Sequence, residues 1–175
     1  QSHNVKLLSQ RMTFTGGNLN DTIIVANTAR YAAVYGGSGD DYIENNAADV
    51  YMWGQDGNDK IINNGANSCL IFGGNGDDTV EITKGTGHYL DAGDGNDNVT
   101  VLGSASNATI YGGAGKNTIT NKSGNNIGIS GFGDADNCSA IVINPSASKT
   151  VTINGVSYSL VNQSSDRTSV VLYNY

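Results

Sequence analysis

Hydrophobic residues in this chain come in short alternating runs, and no stretch repeats them at the helical interval. One set of runs reads TII, YIE, KII, TVE, NVT and TIT, beginning at residues 22, 42, 60, 79, 98 and 118. A second set reads YAAVY, VYMW, CLIF, HYLD and ATIY, and each of these runs into a glycine-rich polar block. The blocks are GGNLND from Gly16, GGSGDD from Gly36, GQDGND from Gly54, GGNGDD from Gly73, AGDGND from Ala92 and GGAGKN from Gly112, in steps of 20, 18, 19, 19 and 20 residues. An altered seventh block, SGFGDAD, starts at Ser130. A second polar turn closes each unit: NNAAD, NNGAN, TKGTG, GSASN and KSGNN. Two strands and two turns per unit, at this interval, describe one rung of a flattened parallel β-coil.

Strand alternation then assigns the faces. Inward positions after the blocks are Ile23, Ile43, Ile61, Val80, Val99 and Ile119. On the return strands they are Phe14, Val34, Met52, Ile71, Leu90, Ile110 and Ile129. Outward positions of the return strands form an aromatic face of Tyr35, Trp53, Phe72 and Tyr111, with Tyr51 and Tyr89 beside them and Asp91 interrupting the row. The opposite outer face is mostly polar. From about residue 137 the period ends, and CSAIVI, KTVTI, VSYSL and SVVLYNY remain, with Asn154-Gly155 as a hairpin signal between the middle two. One structural domain is expected, with a lead-in at 1–13, a repeating part at 14–136 and an antiparallel β cap at 137–175.

Composition narrows the chemistry. The 175 residues include 24 glycines and one proline, and Asp outnumbers Glu fourteen to two. A net charge of −7 argues against a nucleic-acid backbone as partner and favours cations or simple solubility. No apolar run reaches the ~20 residues of a membrane span. Cys69 and Cys138 make no metal spacing, leaving either two buried thiols or one remote bridge. The start at Gln1, without Met or a signal segment, suggests a mature fragment or an excised domain.

Gly73 to Glu81, GGNGDDTVE, fits the pattern GGxGxDxUx, and Gly36 to Glu44 fits it equally well. Gly54 to Ile62 lacks the second glycine, Ala92 to Thr100 the first and Gly16 to Ile24 the third, while Gly112 to Thr120 has Asn117 for the aspartate beside Lys116. Over residues 16 to 136 the chain resembles the RTX (haemolysin-type) calcium-binding repeats. The resemblance implies an all-β fold, a right-handed parallel β-roll of about six to seven rungs. It also implies calcium between same-edge turns about one rung apart. The nonapeptide occurs here only at every second turn, so one row of about three to four Ca²⁺ ions is expected, on one edge.

The residues support such a site physically. Ca²⁺ takes six to eight oxygens from carboxylates and carbonyls, and nine of the sixteen acidic side chains fall in the blocks. Stacked without a counter-ion, they repel. Candidate ligands are Gly36, Gly37, Ser38, Gly39 and Asp41; Gly54, Asp56, Gly57 and Asp59; Gly73, Gly74, Asn75, Gly76 and Asp78; and Gly93, Asp94, Gly95 and Asp97. Asp21 is a further candidate. The gaps between 36–41, 54–59, 73–78 and 92–97 are the strongest; 92–97 with 112–117 is the weakest, because of Lys116 and Asn117.

Other chemistries find little support. The glycines lack the GxxxxGK[ST] of a phosphate loop, and HExxH, GxSxG and a Ser/His/Asp spacing are absent. His3 lies at an end expected to fray, and His88 reads as a packed or capping histidine. A non-catalytic, calcium-folded module of a secreted or surface bacterial protein is therefore expected, in a structural, adhesive or type I secretion role. The aromatic face leaves open a glycan, a surface protein or a neighbouring domain as partner. Alternatives are a carbohydrate-binding or substrate-guiding module of a polysaccharide-modifying enzyme and, less favoured, a small β-helix polysaccharide lyase.

Overall fold

A computed structural model describes residues 1–123, 125, 127–132, 139–143, 149–153, 156–160 and 168–172, with side chains as far as Ile129. Cys138, the Asn154-Gly155 turn and residues 133–136 of the seventh block lie outside the described residues. Among the described residues the chain is all β, in two nine-stranded sheets that form a solenoid of about seven turns. One sheet runs Asn4–Leu7, Thr22–Val25, Tyr42–Asn45, Lys60–Asn63, Thr79–Ile82, Asn98–Val101, Thr118–Asn121 and Ser139–Ile143, all parallel, and ends with Thr168–Leu172 antiparallel. The other runs from Thr13–Thr15 through the return strands to Lys149–Ile153, and also ends antiparallel, on Val156–Leu160. Asn4–Leu7 pairs with Thr22–Val25, so a rung precedes the first glycine block.

Register is strict. Ile23, Ile43, Ile61, Val80, Val99 and Ile119 lie side by side in one sheet, and Val34, Met52, Ile71, Leu90 and Ile110 in the other. All of these are inaccessible to solvent, whereas Phe14, on the terminal strand, is half-buried. Burial of each such side chain contributes roughly 1.5–3 kcal/mol. On the edge opposite the glycine blocks, three rungs are closed by asparagines. The Oδ1 atoms of Asn45, Asn63 and Asn121 accept the N–H groups of Ala47, Gly65 and Ser123 at 2.9, 3.1 and 3.1 Å. These local bonds turn the chain without help from another element.

Within that edge, His88 is buried and its tautomer is fixed by its neighbours. Its Nδ1 receives the Cys69 N–H (3.2 Å) and faces Asn63 Nδ2 (3.3 Å), so Nε2 carries the proton and donates to the Lys84 carbonyl (3.0 Å). Burial lowers its pKa below the ordinary 6.5, because a charged ring would lose its hydration. Cys69 beside it is a buried free thiol whose pKa burial raises.

Three backbone positions recur at positive φ, one of them the fourth residue of each block from the second to the sixth, glycine at 39, 57, 76, 95 and 115. Arg11, Tyr31, Asp49, Ser68, Gly87 and Asn107, with φ from 49° to 69°, mark the corner before each of the first six return strands. The second residue of each block from the second to the sixth is also at positive φ: glycine at 37, 74, 93 and 113, but Gln55 at φ 87°. A Cβ at those glycines would press on the carbonyl of the preceding rung. Gln55→Gly should therefore raise unfolding free energy by about 1 kcal/mol, read from urea denaturation; no change or a loss would contradict strain at this position. For His88, nitrogen-15 imidazole shifts should show the Nε2–H tautomer, and a neutral ring at about pH 6.5 where an exposed histidine is half charged. With its folded pKa lowered, the stability it contributes is present above the ordinary imidazole range and is lost as pH falls.

Candidate metal centre

The glycine blocks stack along one edge, and the sixth residue of each turns its side chain inward. Asp21, Asp41, Asp59, Asp78, Asp97 and Asn117 form a column in which none is more than 2 % exposed. Each member's N–H donates to Oδ1 of the next: Asp21 to Asp41 (2.6 Å), Asp41 to Asp59 (2.7 Å), Asp59 to Asp78 (2.7 Å), Asp78 to Asp97 (2.9 Å) and Asp97 to Asn117 (2.8 Å). One oxygen per carboxylate is thus satisfied by main chain.

The other oxygen is not. The Oδ2 atoms of Asp41, Asp59, Asp78 and Asp97 are buried without a hydrogen-bond partner. Such a group costs about 1–3 kcal/mol, and more when charged. The first glycine of the block explains where these atoms point. A Cβ on Gly36 would overlap Asp41 Oδ2 and lie 2.6 Å from the Gly54 carbonyl oxygen of the next rung. At Gly54 it would meet Asp59 Oδ2 and, at 2.5 Å, the Gly73 oxygen; at Gly73, Asp78 Oδ2 and the Ala92 oxygen. Gly16 repeats the arrangement with Asp21 Oδ2 and the Gly36 oxygen, so a carboxylate oxygen and a carbonyl oxygen converge beside a bare Cα four times in succession, the first time with an Oδ2 that already has a main-chain donor. Two acceptors facing one point call for a proton or a cation between them. The donor set is hard oxygen, as calcium prefers, and the residues fit that ion. Among the described residues no three His, Cys, Asp or Glu side chains converge, so main-chain carbonyls must supply the rest of any coordination.

Both ends of the column differ from its middle. At Asp21, Oδ1 accepts the His3 N–H (2.5 Å) and faces His3 Nδ1 (3.1 Å), while Oδ2 accepts the Gly17 N–H (3.1 Å). His3, 18 residues before Asp21, takes the column's place one rung earlier, and its ring meets Phe14 edge-on. An end expected to fray is instead pinned, and the repeat interval was the available signal. At the other end Asn117 Nδ2 donates to the Gly112 carbonyl at 2.6 Å.

Protonation follows this geometry. Burial, then neighbouring carboxylates, raise Asp59 to about 6, Asp78 to about 7 and Asp97 to about 6, from 3.8, against the opposing effect of their main-chain donors. Asp41 is raised for the same reasons. Burial acts upward on Asp21 as well, but the His3 and Gly17 donors outweigh it and hold its pKa below the ordinary value.

The remaining candidate residues serve the stacking of turns. The carbonyls of Asp56, Asn75 and Asp94 accept the N–H groups of Gly39, Gly57 and Gly76 at 2.9, 2.9 and 2.8 Å. Gly17 and Gly93 oxygens accept from Ser38 and Ala114. Gly37, Gly74 and Gly95 supply positive φ where adjacent turns nearly touch. Sequence reasoning missed a second, exposed ladder, in which Asn20, Asp40, Asn58, Asp77 and Asn96 accept through Oδ1 the N–H groups of Asp40, Asn58, Asp77, Asn96 and Lys116.

The aromatic face is present as read. Tyr35, Trp53 and Phe72 stack in parallel, with centroids 4.5 and 5.4 Å apart and planes within 8°, and Tyr51 lies parallel to Trp53 at 6.3 Å. Where Asp91 breaks the row, Tyr89 leans across between Phe72 (5.9 Å) and Tyr111 (5.2 Å). The rings spend their faces on one another.

Comparison with family models, curated proteins and solved structures finds no match. The solenoid of about seven turns is consistent with a β-roll.

The raised carboxylates set a pH dependence for the metal-free protein. Their contribution to stability is complete below about pH 4 and is lost as pH rises through about 6 to 7. In chelator, the wild type should lose stability relative to Asp78→Asn between about pH 5 and pH 8, measured by urea titration. Parallel profiles would contradict the raised pKa.

Proposed function

We propose that this chain is a calcium-binding β-roll module of the RTX kind, part of a secreted or surface bacterial protein, which completes its fold when it meets calcium. The observation that carries this reading is the column of four buried carboxylates, each with one oxygen lacking any partner. At neutral pH the column holds a choice between ionised oxygens facing carbonyls and uptake of protons at an energetic cost. Calcium, when bound, supplies the positive charge that relieves that conflict.

The chain's own residues do the rest. Gly36, Gly54 and Gly73 leave the space beside the Cα open, and the Asp41, Asp59 and Asp78 carboxylates close on it. The N–H groups of Asp21, Asp41 and Asp59 hold those carboxylates in a single orientation through Oδ1. Where calcium is scarce, as in the cytoplasm, repulsion along the column favours a loosened chain; outside, binding adds to folding free energy through linkage. An ordered, calcium-dependent rod of this kind suits a structural, adhesive or secretion-associated role without catalysis. The mutual stacking of the rings favours an architectural role for the aromatic face over a platform for sugars, which need free ring faces.

A melting experiment tests the reading. At about pH 7.5 calcium should raise the wild-type melting temperature well above the chelated value, since a site at one hundred times its dissociation constant adds about 2.7 kcal/mol. Asp78→Asn should act in opposite directions under the two conditions. In chelator it should be more stable than wild type by roughly 1–3 kcal/mol, because an amide can donate where the carboxylate cannot. In calcium it should lose part of the gain. Equal wild-type melting temperatures with calcium and with chelator would sink the proposal.

A further inference from the structure

The two ends of the carboxylate column carry residues that do the work of a cation. At the first block, the His3 and Gly17 donors occupy both oxygens of Asp21. At the sixth, the carbonyl of Gly112 is the counterpart of those of Gly54, Gly73 and Ala92, which face the carboxylates of the rungs before them. Gly112 differs in that its carbonyl already accepts Asn117 Nδ2 at 2.6 Å, so an amide competes there for the oxygen that a cation would need. Asp97 is also the one orphaned carboxylate whose block begins with alanine instead of glycine. Ala92 is fully buried, and its methyl group takes the position that is bare at Gly36, Gly54 and Gly73.

We infer that His3 at one end and Asn117 with Ala92 at the other are built-in terminators, which confine bound calcium to the three gaps where an orphaned Oδ2 meets the next rung's carbonyl beside a glycine. The gaps pair Asp41 with Gly54, Asp59 with Gly73 and Asp78 with Ala92. This rests on the calcium reading above and adds the length of the ion row and the residues that set it. Asn117 supplies from its amide the positive end that the cation supplies elsewhere. It therefore adds no further charge to the row, which ends at Asp97 with its Oδ2 still unpartnered.

The experiment is a count of bound calcium on the full chain, by equilibrium dialysis and elemental analysis at about pH 7.5. The wild type should hold three ions. The double variant Ala92→Gly/Asn117→Asp restores the cradle and frees the Gly112 carbonyl, and should hold four. A double variant that is folded by circular dichroism and still holds three would overturn the terminator role. So would a wild-type count of one, two or more than three ions, which stands as a test even if the double variant does not fold. A wild type that binds no calcium would instead overturn the calcium reading on which this one rests, so the two failures are distinguishable.

Discussion

Parallel, in-register stacking of one rung on the next is the constraint from which the rest of this structure follows. Adjacent strands lie roughly 4.8 Å apart, so whatever stands at one position meets its own kind above and below. For Ile23, Ile43 and Ile61 that neighbourhood is favourable, and it builds the core. For asparagines at the closing edge it is neutral, because an amide can both give and receive: Asn45 Nδ2 donates to Asn63 Oδ1 at 2.8 Å. For aspartates it is a conflict, because an ionised carboxylate only receives.

Much of this could be read from the residues. The interval of 18 to 20 residues places every strand, because a solenoid has few other ways to use such a repeat, and alternation then separates Ile61 inside from Lys60 outside. The aromatic row was legible for the same reason. What alternation cannot tell is how side chains turn once they are placed. The rings of Tyr35, Trp53 and Phe72 stand face to face, and Tyr89 crosses to fill the gap left by Asp91. Both outcomes depend on rotamers settled by neighbours one rung away.

The same limit applies at the candidate site. The six blocks announce a row of acids, and Asn117 and Lys116 announce its weak end. They do not say that Oδ1 is committed to main chain while Oδ2 is orphaned, since that depends on how each carboxylate turns against the rung 18 to 20 residues away. The non-glycine residues at the left-handed corner, such as Tyr31 and Ser68, are also invisible to composition. Their conformation is imposed by the need to turn into the return strand, and the stacked rungs around them hold it in place.

The two side-chain ladders of the glycine edge run in opposite senses. In the buried one, Asp41 donates forward to Asp59; in the exposed one, Asn58 donates backward to Asp40. Every junction is thus a reciprocal handshake, one bond given and one taken. A break at any rung would bare a donor and an acceptor on each side of the cut. Neither broken face is then chemically quieter than the other, and along this edge the rod has no built-in direction in which to unravel or to regrow.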